Sequence, residues 1–237
     1  MVKLGHKTLN KTSWLGVLLA ASSILLISCS SSFKVEGDYP TPIVNQLPYT
    51  LGVVYDDAFR NYEYVESAKG RAEWHIDIGD AQTELFSTIL PAMFEAVVPL
   101  SHVTAATQRN RAIEPETMAN NVDLVLSPVL TDFQYNLPKE TKVKMYEVWM
   151  KYNLRVYEPD GELIADWILT AYGKTPVGFM TSNEEALNQA MVIALRDLGA
   201  GVSLTFTKVP EINAWLKKQN AKLASLETAN ASLLSNH

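Results

Sequence analysis

The sequence predicts an α+β fold: a mixed or antiparallel sheet with helices packed mainly on one face, a two-layer sandwich. Three observations predict it. The run "KVKMYEVWMKYNLRVYE" (142–158) alternates, with Tyr146, Val148, Met150, Tyr152, Leu154 and Val156 on one face and Glu147, Lys151, Asn153 and Arg155 on the other. Pro159-Asp160-Gly161 follows, where Asp-Gly supplies the positive φ of a tight hairpin turn, and then a returning strand. Apolar residues at helical spacing stand before and after these strands, one stripe around Leu85, Ile89 and Met93 and one from Leu187 to Leu198, and both can cover one sheet face.

Taken in order, "YTLGVVY" (49–55) reads as a first strand, β-branched and bounded by a proline and aspartates. Residues 56–72, "DDAFRNYEYVESAKGRA", read as a loop or hairpin arm, and "EWHIDI" (73–78) as a short strand. Gly79-Asp80 opens a helix through "AQTELFSTILPAMFEAVV", with Asp80 as its cap, Glu84 favoured by the positive helix N-terminus, and Pro91 as a kink or the end of its regular part. A strand follows around Val97–Val103, then a polar connection over 104–121. "VDLVLSPVLTDFQYNL" (122–137) is a long strand in which Pro128 marks an edge or a bulge. "ELIADWILTAYGK" (162–174) pairs back onto 142–158, with Leu163, Ala165, Trp167 and Leu169 on one face. Ser182-Asn-Glu-Glu185 is a capping box opening the second helix, and Gly199-Ala-Gly201 reads as its end or as a tight packing point. Pro210 starts a last helical stretch, "EINAWLKKQNAKLASLE", before a frayed end.

The N-terminus has a different composition. Lys3, Lys7 and Lys11 precede an apolar run, "WLGVLLAASSILLI" (14–27), which is followed by Ser28-Cys29. A basic flank, a short apolar core and small exit residues describe a secretory signal, and the run is short for a spanning helix. Leu26-Ile27-Ser28-Cys29 resembles the lipobox of bacterial lipoproteins. That resemblance implies cleavage before Cys29, a diacylglycerol thioether on its sulfur and an acylated (palmitate-type) amino terminus. Only a thiol forms such a thioether, and more than one acyl chain is needed for stable anchoring. Aspartate after the cysteine retains members of this family in the inner membrane. Ser30 stands there, so the resemblance implies the periplasmic face of the outer membrane. The expected organisation is a signal peptide over 1–28, the lipidated cysteine and an extended Ser- and Pro-containing tether over 29–48, one periplasmic domain over 49–209, and a helix with a frayed tail over 210–237.

Composition narrows the function classes. The net charge is −6; the signal holds three lysines and no acid, so the remainder carries −6 − 3 = −9, which disfavours nucleic acid and anionic surfaces as partners. Cys29 is the single cysteine, so stability is expected from packing rather than disulfides. His6, His75, His102 and His237 show no metal-ligand spacing, and no G-x-S-x-G elbow or phosphate-binding glycine loop occurs. Asp77, Asp80 and Glu84 cluster before and within the first helix as candidate paired carboxylates, with a structural reading for Asp80 as a helix cap and for Glu84 at the positive helix end. No catalytic residue, metal site or cofactor is therefore assigned. Tyr55, Phe59, Arg60, Tyr62 and Tyr64 are the candidate partner-binding residues, because tyrosine with arginine is typical of interface anchors.

The stretches "LGVVYDDAFRNYEY", "HIDIGDAQTELFSTILPAMFEAV", "VDLVLSPVLTDFQYNLP" and "LRVYEPDGELIADWILTAYG" resemble proteobacterial periplasmic lipoproteins of unassigned role. "VDLVLSPVLTDF" is also similar to strands of small outer-membrane lipoproteins of the LpoB, CsgG and YajG type, which pair a small α/β domain with a lipid anchor in envelope assemblies. The expectation is a non-enzymatic accessory lipoprotein that binds an envelope protein or itself. The competing readings are a carrier whose pocket is lined by the apolar face of Tyr146–Val156, and a cell-wall hydrolase.

Overall fold

The alternating stretch gives an interior strand of the main sheet over Met145–Tyr157. The structure, a computed structural model, describes residues 30–66, 73–101, 121–138, 144–178 and 182–234. Its elements are β1 (Ser30–Lys34), β2 (Leu47–Val53), α1 (Asp57–Arg60), β3 (Glu63–Glu66), β4 (Glu73–Asp77), α2 (Gly79–Met93), β5 (Phe94–Pro99), β6 (Leu124–Asn136), β7 (Met145–Tyr157), β8 (Leu163–Pro176), α3 (Asn183–Thr205) and α4 (Pro210–Leu234). A 3-10 turn, Phe206–Lys208, separates the last two. The main sheet has the order β5-β2-β6-β7-β8. β2 runs parallel to β5 and β6, and β6, β7 and β8 are antiparallel, so the sheet is mixed. β1, β4 and β3 form a second, three-stranded sheet. Among the described residues, Ser30–Ser32, Val65–Glu66 and Glu73–His75 group as a small unit of strand ends, and the chain from Phe33 to Tyr64 and from Ile76 onward as the main unit.

Val148, Tyr152, Leu154 and Val156 of β7 are fully buried on the inner face, and each such side chain contributes about 1.5–3 kcal/mol relative to exposure. α3 covers this face at very short range. Ala186, Ala190 and Ala194, spaced by four, are buried, and Gly173 of β8 lies beneath them. A Cβ at Gly173 would stand 1.9 Å from the Ala190 carbonyl oxygen and 2.5 Å from the Ala194 nitrogen. α3 also blunts the open edge of β8, where the Tyr172 N–H donates to the Asp197 carboxylate at 3.0 Å. The helix is long and apolar enough to cross a bilayer, but half of that stretch is buried inside the protein.

The other sheet face carries a smaller core of Val54, Leu100, Val122, Val125 and Tyr157. Gly52 makes room for it, because a Cβ there would meet Leu100 at 2.6 Å. Pro128 lies beyond the last β2–β6 pair, Val53↔Leu126, where β6 has only β7 as a neighbour. The bulge falls a little later, between Leu130 and Asp132.

Several local expectations shift. Asp80 does not cap α2: Ile78 stands at the N-cap with no side-chain cap bond, the Gly79 N–H donates to the Asp77 carboxylate at 3.1 Å, and Asp80 pairs with Lys34. α2 runs two residues past Pro91, and β5 begins directly at Phe94. Ser182 does cap α3, accepting from the Glu185 N–H at 3.0 Å. That helix does not end at Gly199-Ala-Gly201 but continues to Thr205. Gly199 is a packing point, since a Cβ there would stand 2.9 Å from Leu85 of α2. The arm over 56–72 contains α1 and β3.

The stretch expected as a tether is extended, but from Val35 it is fastened to the domain. The Val35 N–H donates to the Asp77 carbonyl at 2.9 Å. The Asn188 side-chain amide exchanges two hydrogen bonds with the Glu36 backbone. Gly37 lies on Val192, where a Cβ would come within 2.4 Å of a methyl group. The Arg196 guanidinium donates twice to the Asp38 carbonyl, at 3.0 and 2.8 Å. Residues 188, 192 and 196 are spaced by four and share one face of α3, which thus holds three consecutive residues of the strap.

Candidate functional site

The aromatic segment after β2 folds into the core. Tyr55 and Phe59 are 7% and 2% exposed, and their rings stack at 5.4 Å. Phe59 meets Phe86 and Tyr152 edge-on. Arg60 folds back on its own segment: its Nε donates to the Tyr55 carbonyl at 3.0 Å and its guanidinium lies over the Tyr55 ring. Tyr64 is half-buried and packs with Phe133 and Tyr135, and Tyr62 is half-buried beside them in sequence, its carbonyl accepting from Ile78 and Gly79. Of the candidate partner-binding residues, Tyr55 and Phe59 thus belong to the core, which corrects the expectation of an exposed surface for these two, while Arg60, Tyr62 and Tyr64 are half-buried. α1 is a single turn capped by Asp56, and it aims Phe59 inward at α2. Burial pushes the Tyr55 phenol up to about 12, with Ser87 and Arg60 opposing the shift.

A buried polar relay fixes this segment. The Gln82 side-chain amide donates to the Phe59 carbonyl. The Tyr152 hydroxyl donates to Gln82 Oε1 at 2.9 Å. Gln82 and Tyr152 are both fully enclosed, and burial drives the Tyr152 phenol well above its ordinary range.

The face of Tyr146–Val156 offered as a pocket lining consists of core side chains that are 0–4% exposed. A groove lies elsewhere, between the strap, α2 and α3, with Pro40, Pro42, Leu85, Ile89, Arg196 and Gly199 on its walls and a volume of about 200 Å³. That is below the roughly 300–1,000 Å³ of typical small-molecule sites. Tyr39 of the strap is buried, its hydroxyl without a partner and its phenol raised by desolvation.

Among the described residues, an exposed aromatic pair lies on the polar face of β7 and β8. Trp149 pairs with Tyr172 across the strands, their rings 5.3 Å apart. Ile168 lies two positions further along the same face of β8 from Thr170, opposite Asn153, and is 60% exposed; Trp149 is 37% exposed. The Tyr172 hydroxyl donates to Glu147 at 2.6 Å, and this bond raises its phenol. Sequence reasoning missed this surface, although its mark was legible: Trp149 sits at the parity of Glu147 and Lys151, the polar face of its strand.

Of the groups with a catalytic look, Asp77 and Asp80 serve α2 and the strap as described, and His75 sits half-buried in β4. His102 and Cys29 lie outside the described residues. At the β7–β8 turn, carboxylate oxygens of Glu158, Asp160 and Glu162 come within 4.8 Å of one another. Glu158 accepts from the Trp215 indole of α4 and Asp160 from the Glu162 N–H, so one of the three fastens α4 and another holds the turn.

No family model matches the chain, and no curated protein matches it. Solved structures do. A Xanthomonas campestris protein of family DUF330 shares 12% identity with a TM-score of 0.48, over 81% of this chain and 99% of its own. A hypothetical protein from Chlamydia trachomatis shares 12%, TM-score 0.44, over 69% and 98%. A minor lipoprotein from Acinetobacter baumannii shares 12%, TM-score 0.34, over 68% and 92%. Structures similar to this one thus include a bacterial lipoprotein; at such identity no residue correspondence follows.

Proposed function

We propose that this chain is a non-catalytic accessory lipoprotein of the bacterial envelope, anchored through acylated Cys29 at the periplasmic face of the outer membrane and working by contact with an envelope protein. The observation that carries the contact is the Trp149–Tyr172–Ile168 surface. Tryptophan and tyrosine are the side chains that most often anchor protein interfaces. Here they are held rigid by strand pairing and by the Glu147 hydrogen bond, so little side-chain entropy remains to be lost on docking. The lipobox-like sequence at Leu26–Cys29 supports the anchor. The fastened strap supports a domain that works near the bilayer: five residues lie between Cys29 and Val35, a reach of about 20 Å at most.

In-cell photo-crosslinking tests this. A photoreactive residue replaces Trp149 in one strain and exposed Lys208 in another, with the chain otherwise intact. The expected result is one dominant envelope-protein adduct from position 149 and none from 208. Matching adduct patterns from both positions, or no adduct from 149, overturn the contact. In parallel, Cys29→Ser abolishes palmitate labelling and moves the chain to the soluble fraction; retained label overturns the anchor.

A further inference from the structure

The first described residues, 30–45, form an arm that lies on the domain without building it. All five strands of the main sheet lie beyond the arm in sequence, as do α2 and α3. β1 is an edge strand of the three-stranded sheet, and the arm from Val35 onward is neither helix nor strand. Its attachments are of a weak kind. Lys34 pairs with Asp80 at the surface, where an ion pair contributes little. The four hydrogen bonds from Asn188 and Arg196 to the strap backbone are all exposed. Among the described residues of the arm, only Val35 and Tyr39 are buried. Tyr39 takes its hydroxyl inside without a partner, so the desolvation of that group offsets part of what the ring gains. Few buried side chains and many exposed hydrogen bonds mark a segment that opens well below the free energy of global unfolding.

The attachment changes character at Gln46. Its side-chain amide donates to the Pro91 carbonyl at 3.1 Å and to the Phe94 carbonyl at 2.8 Å. Leu47 then opens β2, whose Leu51 and Val53 are core residues. We propose that residues 30–45 are a releasable arm: it peels from the Cys29 end as far as the Gln46 clamp while the rest of the domain stays folded, so that the anchor works at two lengths. Docked, the anchor holds the domain within the short reach between Cys29 and Val35. Released, sixteen residues lie between Cys29 and Gln46, and the reach rises to about 60 Å. A partner that binds the domain away from the bilayer then has only the arm's surface contacts to break. The two lengths rest on the reading of Cys29 as the anchor; the release itself does not.

Single-molecule force spectroscopy tests the release. Cys29 is the only cysteine, so the full chain made without lipid is held by that thiol and by a second one from Lys208→Cys, and stretched slowly. Forced opening reads the rate of leaving each docked or folded state. Two steps are expected. The first, at low force, frees the sixteen residues between Cys29 and Gln46 and reverses on relaxation; the second, at higher force, unfolds the remainder. Arg196→Ala, which removes both bonds to the Asp38 carbonyl, is expected to speed the first step several-fold at a given force and to leave the second unchanged. One step for the whole chain, slack over residues 30–45 with no first step, or an Arg196→Ala chain whose first step keeps its rate would each overturn the proposal. No lipid takes part in this measurement, so its failure is distinct from failure of the anchor, which palmitate labelling decides.

Discussion

Tyr152, Gln82 and the Phe59 carbonyl form a chain in which the loss of a middle member strands more groups than the loss of an end. The hydroxyl of Tyr152 donates to Gln82, and Gln82 donates to Phe59. All three lie in the enclosed core. A buried polar group left without its partner costs about 1.5 kcal/mol. Tyr152→Phe strands one group, Gln82 Oε1, and is expected to cost about 1.5 kcal/mol. Gln82→Leu strands the Phe59 carbonyl and leaves the Tyr152 hydroxyl only the weak acceptor Met150 Sδ at 3.7 Å, and is expected to cost up to about 3 kcal/mol. The double variant strands only the carbonyl, so its expected cost returns to about 1.5 kcal/mol, where independent effects would give about 4.5. Urea unfolding of the four proteins at 25 °C, followed by tryptophan fluorescence, measures all of these. A double variant as unstable as the two singles together would refute the relay.

Gly173→Ala places a methyl group against two backbone atoms of α3 that cannot move separately, so the cost belongs at the upper end of overpacking, about 3 kcal/mol, a fall of about 6–12 °C in Tm; Gly201→Ala, whose Cβ would meet only Leu169 at an ordinary 3.6 Å, is expected to raise Tm, and equal effects at the two glycines would end the packing argument. In alkali the buried phenols destabilise the fold. Tyr55 is raised to about 12 by burial, above an ordinary phenol near 10, so between about pH 10 and 12 the unfolded chain has lost a proton that the folded chain keeps, and stability present below pH 10 is lost as pH rises through the folded value, at up to about 1.4 kcal/mol per unit for each such group. Tyr152 is shifted the same way. Tm measured at pH 9, 10 and 11 is expected to fall with increasing steepness, and Tyr55→Phe to make that fall shallower; an unchanged slope in the variant would show that Tyr55 does not carry it.

How far the fold is legible in the sequence depends on whether a residue's role is local. β7 and β8 are readable because one face is core and the other is not, and because Asp160-Gly161 fixes the turn between them; Gly161 does adopt φ 91°. The Ser182 cap is readable because its hydrogen bond spans three residues. Gly199-Ala-Gly201 misleads only as a stop signal: the helix runs on to Thr205, and the other reading, a tight packing point, holds at Gly199 against Leu85 of another helix. The strap misleads in the same way. Prolines and serines correctly give an extended chain over 30–48, but Asn188, Val192 and Arg196, more than 150 positions away, decide that it is held down.

The candidate surface shows the same division more sharply. Interface anchors and core anchors draw on the same aromatic residues, so the crowding of Tyr55, Phe59, Tyr62 and Tyr64 carries no information about which way they point. The segment passes from a turn of helix into a strand within ten residues, so no single period assigns them a face. Trp149 stands in a strand whose period is fixed at two over thirteen residues. Its parity with Glu147, Lys151 and Arg155 places it outward, and the pairing of Trp149 with Tyr172 makes the outward position a property of two strands at once. An aromatic residue out of phase with its own apolar face has to be held at the surface against the hydrophobic effect, whereas one that joins a crowd of others has the core as its ordinary destination.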